Sequence, residues 1–146
     1  MGIKLTEKQK KGWGILSSRD KTRILFDGGS RSGKTVLIAE FLVMRALLYP
    51  GSRQLAARRH RVHVKASLWN GTFKSYLASF IRTGLYKFSE SNLEIKFSNG
   101  SRIIMDGLDD AERTEKILGN EYITVYLNEA TQLSWEAVQM AMTRLS

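Results

Sequence analysis

Apolar residues along this chain fall into short runs, one clear alternation and several helical repeats, and together they predict helices and strands in turn. Leu5 to Leu16 reads as a helix with Leu5, Trp13 and Leu16 roughly on one side. The polar segment Ser17-Ser18-Arg19-Asp20-Lys21 follows as a connection, and Ile24-Leu25-Phe26 then reads as a short buried strand. Val36 to Leu48 is helical in pattern and ends near Tyr49-Pro50-Gly51, where Pro50 and Gly51 are stop signals. Gln54 to Ala57 is a short apolar strand. His63 to Ile81 reads as a long helix in which Trp69, Phe73, Tyr76 and Phe80 recur at helical steps. An aromatic stripe of that kind can stack on bases, but at this spacing it reads first as a face turned to the core. Leu93-Glu94-Ile95-Lys96-Phe97 alternates, Asn99-Gly100 signals a tight turn, and Arg102-Ile103-Ile104-Met105 returns, so the segment predicts a β-hairpin. Asp106 to Lys116 is acidic and reads as a loop with one helical turn. Tyr122 to Leu127 is almost continuously apolar, β-branched or aromatic, as in a central parallel strand buried on both faces. Ser134 is a candidate N-cap, with Glu136 behind it, for a last helix over Trp135 to Leu145. The alternation of strands and helices implies an α/β fold with a mostly parallel sheet flanked by helices.

Composition narrows the class. At 42% apolar and 10% aromatic residues, the 146-residue chain is not a disordered tail and is long enough for one domain with a core. It has no cysteine, which removes disulfides and thiolate metal sites from consideration. The longest apolar stretch, Thr35 to Tyr49, contains Glu40 and Arg45 and is too short and too charged to span a bilayer, so no membrane partner is expected. The net charge of +9 is unevenly spread: residues 41–89 carry nine Lys/Arg and no Asp/Glu, whereas residues 90–146 carry five Lys/Arg and ten Asp/Glu. The basic stretch, with Arg58, Arg59, Arg61 and Lys65 near its middle, reads either as a surface facing a polyanion, nucleic acid first, or as a solvated basic face.

The motif with most chemistry is Gly28-Gly29-Ser30-Arg31-Ser32-Gly33-Lys34-Thr35, which fits G-x-x-x-x-G-K-[ST] between a predicted strand and a predicted helix. Gly28 and Gly33 give the loop backbone angles that let it wrap a phosphate chain and aim its N–H groups at the oxygens. Lys34 can then reach the β- and γ-phosphates of ATP, and the Thr35 hydroxyl can hold Mg²⁺. Arg31, inside the loop, can stabilise charge on the transferring phosphoryl group. A phosphate loop alone only binds; hydrolysis also needs a readied water. Leu127-Asn128-Glu129 ends the predicted buried strand, and ligands of open α/β sheets lie at that edge, so Glu129 is the candidate to orient or deprotonate the attacking water. Asn128 stands where an Asp is expected to hold a water of the Mg²⁺ shell; it keeps an acceptor oxygen but not the charge, and Asp27 or the acidic 106–112 stretch could compensate. The lack of an Asn-Lys-x-Asp segment speaks against a small GTPase.

Taken together these segments resemble the large terminase subunits of tailed bacteriophages, the DNA-packaging ATPases. The glycine pair and internal Arg31 of the phosphate loop are similar to that family's Walker A motif. Leu5-Thr6-Glu7-Lys8-Gln9 resembles its N-terminal segment, in which Gln9 would read the adenine edge. Arg58-Arg59 resembles a basic element after the second strand, Glu115 to Tyr122 resembles the approach to Walker B, and Leu127-Asn128-Glu129-Ala130 its ending. The resemblance implies a P-loop NTPase fold, RecA-like and of the additional-strand, catalytic-glutamate class, with ATP and Mg²⁺ as ligands. It further implies double-stranded DNA, a portal protein and a small terminase subunit as partners, a homo-oligomeric ring, and a place in the host cytoplasm and at the procapsid portal. An arginine acting across the ring, from Arg58 or Arg59, would complete a neighbour's site. Because the sequence stops 17 residues after Glu129, residues 1–146 are expected to be the N-terminal portion of the ATPase domain, incomplete at its C-terminus and without the nuclease domain. A helicase-like ATPase and a nucleotide- or DNA-binding module without turnover are the alternative readings.

Overall fold

The structure, a computed structural model, describes Glu7, Lys10, Lys11, Gly14 and residues 34–145. The predicted strand Ile24–Phe26 and loop residues 28–33 lie outside the described residues; of the predicted first helix, the four described positions are helical. Helix α1 (Lys34–Leu48) ends where the proline and glycine predict, and Leu37, Ile38, Ala39, Leu42, Val43 and Ala46 form its buried face. The hairpin turn closes over its C-terminus: the Asn99 amide and the Ser101 hydroxyl both donate to the Ala46 carbonyl, at 2.8 and 2.7 Å.

Strands β1 (Arg53–Arg58), β2 (Tyr86–Ser89), β3 (Glu94–Phe97), β4 (Arg102–Gly107) and β5 (Thr124–Leu127) form one sheet in the order β2-β3-β4-β1-β5. Strand β1 pairs in parallel with β4 and β5, whereas β2–β3 and β3–β4 are antiparallel. Among the described residues the sheet is therefore mixed, with two parallel and two antiparallel pairings. The cause is local: Gly100 at φ +87° lets the chain reverse between β3 and β4, and a short reversal can only make antiparallel neighbours. Strand β2, absent from the sequence reading, extends the same meander; Tyr86 and Phe88 alternate with Lys87 and Ser89, and Phe88 meets the Trp69 ring edge-on.

The segment predicted as one long helix is a helical run of three parts: an α-turn, α2 (Arg61–His63), a π-helical stretch, π1 (Val64–Phe73), and α3 (Lys74–Phe80). Within π1 the Ser67 hydroxyl donates to the His63 carbonyl and the Thr72 hydroxyl to the Ser67 carbonyl; hydroxyls that take main-chain carbonyls loosen the α-helical ladder. Trp69, Phe73 and Tyr76 are buried, as a core-facing stripe requires, while Phe80 remains 38% exposed.

Two further segments differ from expectation. Residues 106–116 are not mainly loop: α4 (Ala111–Leu118) is a two-turn helix capped by Asp110, whose carboxylate accepts from Arg113 N at 3.0 Å. Its acids gather at the N-terminal end, where the helix dipole favours them, and Thr114, Ile117 and Leu118 are buried. Strand β5 is shorter than the apolar run that encodes it, and its residues are half-buried rather than enclosed on both faces; among the described residues it pairs with β1 alone. Tyr122 lies apart from it, bridged to Leu145. The last helix, α5 (Trp135–Thr143), starts as predicted, with the Ser134 hydroxyl accepting from Ala137 N at 3.1 Å.

Helices cover both faces of the sheet. Ala56 of β1 joins α1, π1 and α3 in one core; Leu55 and Ala57, pointing the other way, join Ile117, Leu118 and Ala141 in a second. No helix among the described residues is long and apolar enough to cross a membrane.

Candidate functional site

Because β1 and β5 run in parallel, their C-terminal ends finish together, with Ala57 opposite Leu127. The pairing extends one step further, as Asn128 N donates to the Ala57 carbonyl at 2.8 Å. Arg58 and Glu129 therefore leave the sheet side by side. Arg58 Nη2 donates to Glu129 Oε2 at 2.7 Å, with the two side chains 15% and 35% exposed. Arg58 is fixed from behind: its Nη1 donates to Ser67 Oγ at 3.1 Å, on π1. Glu129 itself sits at φ +52°, the left-handed region that a side chain disfavours. Strain of this kind persists where the surroundings impose it, commonly at functional sites.

Tyr126 and Asn128, two apart on one strand, face the same side. The Tyr126 hydroxyl donates to Asn128 Oδ1 at 2.6 Å and lies near the Thr35 side chain at the start of α1. Burial pushes the Tyr126 phenol up to about 12, with the Glu129 carboxylate adding to the rise and the nearby Thr35 and Arg58 side chains opposing it. The start of α1 and the ends of β1 and β5 thus converge: Thr35, Tyr126, Asn128, Glu129 and Arg58 occupy one locality.

Of the residues singled out from sequence, Thr35, Asn128 and Glu129 fall in this locality, and Lys34 is the first residue of α1. Gln9, Gly28, Gly29, Ser30, Arg31, Ser32 and Gly33 lie outside the described residues. Arg58 is turned into its own chain's Glu129, whereas Arg59 and Lys65 are exposed and have no ion pair among the described residues. Arg61 bonds to Asp106 at 3.0 Å and to the Ser91 carbonyl at 2.7 Å. Three of the four acids of 106–112 are engaged locally: Asp106 by Arg61 and by its neighbour's Gly107 N–H, Asp109 by His60 at 3.0 Å, Asp110 as a cap. The His60 hydrogen bond holds the Asp109 carboxyl below its usual range.

The donor set expected from the sequence for a divalent cation, the Thr35 hydroxyl and the Asn128 amide oxygen, is neutral, and no group of three or more His, Cys, Asp or Glu residues is arranged for a metal among the described residues. Such a set fits Mg²⁺ carried in by phosphate oxygens and kept largely hydrated, not an ion held by protein alone. Sequence reasoning missed Tyr126 and Ser67. Tyr126 had a usable signal, since period-2 alternation puts it on the face of Asn128; Ser67 had none, because a helix that becomes π-helical moves its side chains off the α-helical register.

Residues 25–146 match the family model described as terminase large subunit, T4likevirus-type, N-terminal. No curated protein sequence matches the chain. Among solved structures, the large terminase of a thermophilic bacteriophage superposes with a TM-score of 0.81 at 21% identity, over 99% of this chain and 37% of that one. The same phage protein in complex with ATP-γ-S gives 0.73 at 18%, over 98% and 35%, and in complex with ADP 0.76 at 19%, over 98% and 36%. These likenesses establish a shared α/β fold, and the chain spans little more than a third of the length of those structures. The match over residues 25–146 shows that the chain belongs to the terminase large subunit family, in its N-terminal region.

Proposed function

From this membership we propose that the chain is the nucleotide-binding part of a P-loop, RecA-like packaging motor that hydrolyses ATP to drive double-stranded DNA into a capsid. The observation that carries the reading is the Arg58–Glu129 pair at the strained end of the strand, beside Tyr126, which in turn lies near Thr35 in the helix that follows the phosphate-loop motif. The complexes of the thermophilic phage's large terminase with ATP-γ-S and ADP support a nucleotide ligand. Residues 28–35 would cradle the phosphates, with Lys34 and Arg31 supplying positive charge and Gln9 reading the base. Mg²⁺ bound there would neutralise charge on the phosphate oxygens, and Thr35 would hold it. Glu129 has one carboxylate oxygen engaged by Arg58 and the other without a hydrogen bond among the described residues, suited to accept one from a water, which it would orient and relieve of a proton as the γ-phosphate is attacked. Arg58 holds the carboxylate in place from the same chain, so Arg59 is the better candidate to reach a neighbouring subunit in a ring. Arg59 and Lys65, exposed and without an ion pair among the described residues, suit contact with duplex phosphates. A portal protein and a small terminase subunit complete the proposed assembly. The test is the steady-state ATPase rate of Glu129→Gln, which keeps the volume and loses the base. A fall of about 10²- to 10⁴-fold is expected; an unchanged rate overturns the assignment.

A further inference from the structure

We propose that Lys87, Lys96, Arg102 and Arg53 form a second DNA contact, a row of cations across the sheet that takes the phosphate backbone of a duplex. The proposal rests on the DNA-packaging reading given above and is independent of the nucleotide site. The strand register produces the row. Lys87 of β2 is paired with Lys96 of β3, Lys96 with Arg102 of β4, and Arg102 with Arg53 of β1. Paired residues in a sheet point to the same face, so the four side chains stand side by side although they come from four strands. No stretch of the sequence shows them together, and Lys96 alone reads only as the polar side of an alternating strand.

All four residues are exposed. Their face is the one on which Leu55 and Ala57 meet the second core, and on β1 the row lies two residues before Leu55. Lys87, Lys96 and Arg53 have no ion pair among the described residues; Arg102 meets Glu94 at 3.2 Å, with its side chain still 49% exposed. Like charges directly opposite one another weaken a sheet, so a row of this kind costs stability and does nothing for the fold. Neighbouring strands lie about 4.8 Å apart, which makes the row about 14 Å long. Phosphates of one DNA strand recur about every 3.4 Å along the duplex axis, so a backbone laid across the strands brings several within reach. Thr83 and Ser98, which carry hydroxyl donors suited to phosphate oxygens, line an open hollow of about 450 Å³ together with Lys87 and Lys96. An acidic protein partner fits less well, because protein interfaces are built round an apolar or aromatic centre and the row has none.

The test is fluorescence anisotropy of a labelled duplex of about 30 base pairs, titrated with the purified protein between about 50 and 200 mM salt. Lys87→Gln with Lys96→Gln should bind about tenfold more weakly at the lower salt. Its slope of log affinity against log salt should be shallower by about 1.8, the value for two lost phosphate contacts. Lys87→Arg with Lys96→Arg should behave as wild type. Lys11→Gln with Lys116→Gln loses the same net charge but keeps the row, and it should change affinity and slope little. Removing opposed like charges relieves the sheet, so the Lys87→Gln, Lys96→Gln protein should unfold at a urea midpoint no lower than that of wild type. An unchanged affinity and slope in that protein, or an equal loss in the Lys11, Lys116 control, overturns the proposal. Wild-type self-association in sedimentation that the Lys87→Gln, Lys96→Gln protein lacks, with DNA binding intact, also overturns it and assigns the row to an acidic protein surface. If Arg59→Gln with Lys65→Gln weakens DNA binding and the row variant does not, only the row falls. A wild-type protein that binds no duplex at the lower salt overturns the DNA contact as a whole, Arg59 and Lys65 included.

Discussion

Glu129 combines two features that oppose each other. Its backbone lies at φ +52°, which costs a residue with a side chain about 1–2 kcal/mol, while its carboxylate receives a guanidinium bond at 2.7 Å from the largely buried Arg58. A hydrogen bond to a charged group contributes about 1.5–3 kcal/mol, enough to offset the strain and hold the carboxylate in one orientation. The two terms can be separated by urea unfolding at neutral pH. Arg58→Met keeps the stem of the side chain and removes its bonds to both Glu129 and Ser67, so the expected loss of stability is about 1.5–3 kcal/mol. With the ion pair gone, Glu129→Gly in the Arg58→Met background removes only the strain. It should restore about 0.5–1 kcal/mol after the extra freedom of glycine in the unfolded chain is deducted. Further destabilisation by that second substitution would mean that Glu129 is held by contacts other than the arginine.

At the level of elements, the site depends on how closely β4 and the helical run beginning at Arg61 approach each other beside β1. A Cβ at Gly107, the last residue of β4, would stand 2.2 Å from Arg61 N and 2.8 Å from the His60 carbonyl carbon, both main-chain atoms that cannot swing aside. Gly107→Ala should therefore cost about 2–3 kcal/mol by overpacking and lower the thermal midpoint clearly; a midpoint close to the wild-type value would show that the approach is loose. Nothing in the sequence around Gly107 announces this constraint, because it arises between segments more than forty positions apart. The same distinction governs what can be read in advance. Helix α1, the β3–β4 hairpin, β1 and the Ser134 cap are encoded by neighbours along the chain, and the sequence reading anticipates them. The parallel pairing of β1 with both β4 and β5, the π-helical stretch and the Arg58–Glu129 pair are tertiary outcomes. Glu129 is legible as a strand-end carboxylate, whereas Arg58, which reads as a residue reaching outward, is turned inward by Ser67 on an element whose register the apolar spacing does not specify. Residues 106–116 read as loop by their acidic composition, yet the crowding of those acids at one end marks the start of α4.

Across the whole molecule, the lopsided charge of the sequence is partly reconciled by folding: His60, Arg61 and Lys74 from the acid-free stretch meet Asp109, Asp106 and Glu90 from the acidic one. Most of these pairs are at or near the surface and contribute little to stability each. Burial acts more strongly on another set of groups. Tyr76 is raised well above the ordinary tyrosine value, by burial first and then by the charge of Glu40, whose carboxylate accepts its hydroxyl at 3.1 Å. Tyr122 is raised by burial, and its hydroxyl donates to the Ile117 carbonyl at 2.6 Å. Tyr126 is pushed up to about 12. They are distributed over both sides of the sheet: Tyr76 in one core, Tyr122 in the other, and Tyr126 packed against the first. In each case the folded state keeps a proton that the unfolded chain releases near pH 10. The sign follows directly: below pH 10 both states are protonated and the stabilisation is intact, and as the pH rises toward 12 the unfolded state binds fewer protons and the folded state loses ground. Each tyrosine contributes a slope of at most about 1.4 kcal/mol per pH unit over its own window. Urea midpoints measured from pH 9 to pH 12 should therefore fall steeply, and Tyr126→Phe should fall less steeply than the wild type although it starts lower at pH 9. Parallel curves for the two proteins would show that the Tyr126 hydroxyl is free to ionise in the folded state, which is incompatible with its place between Thr35 and Asn128.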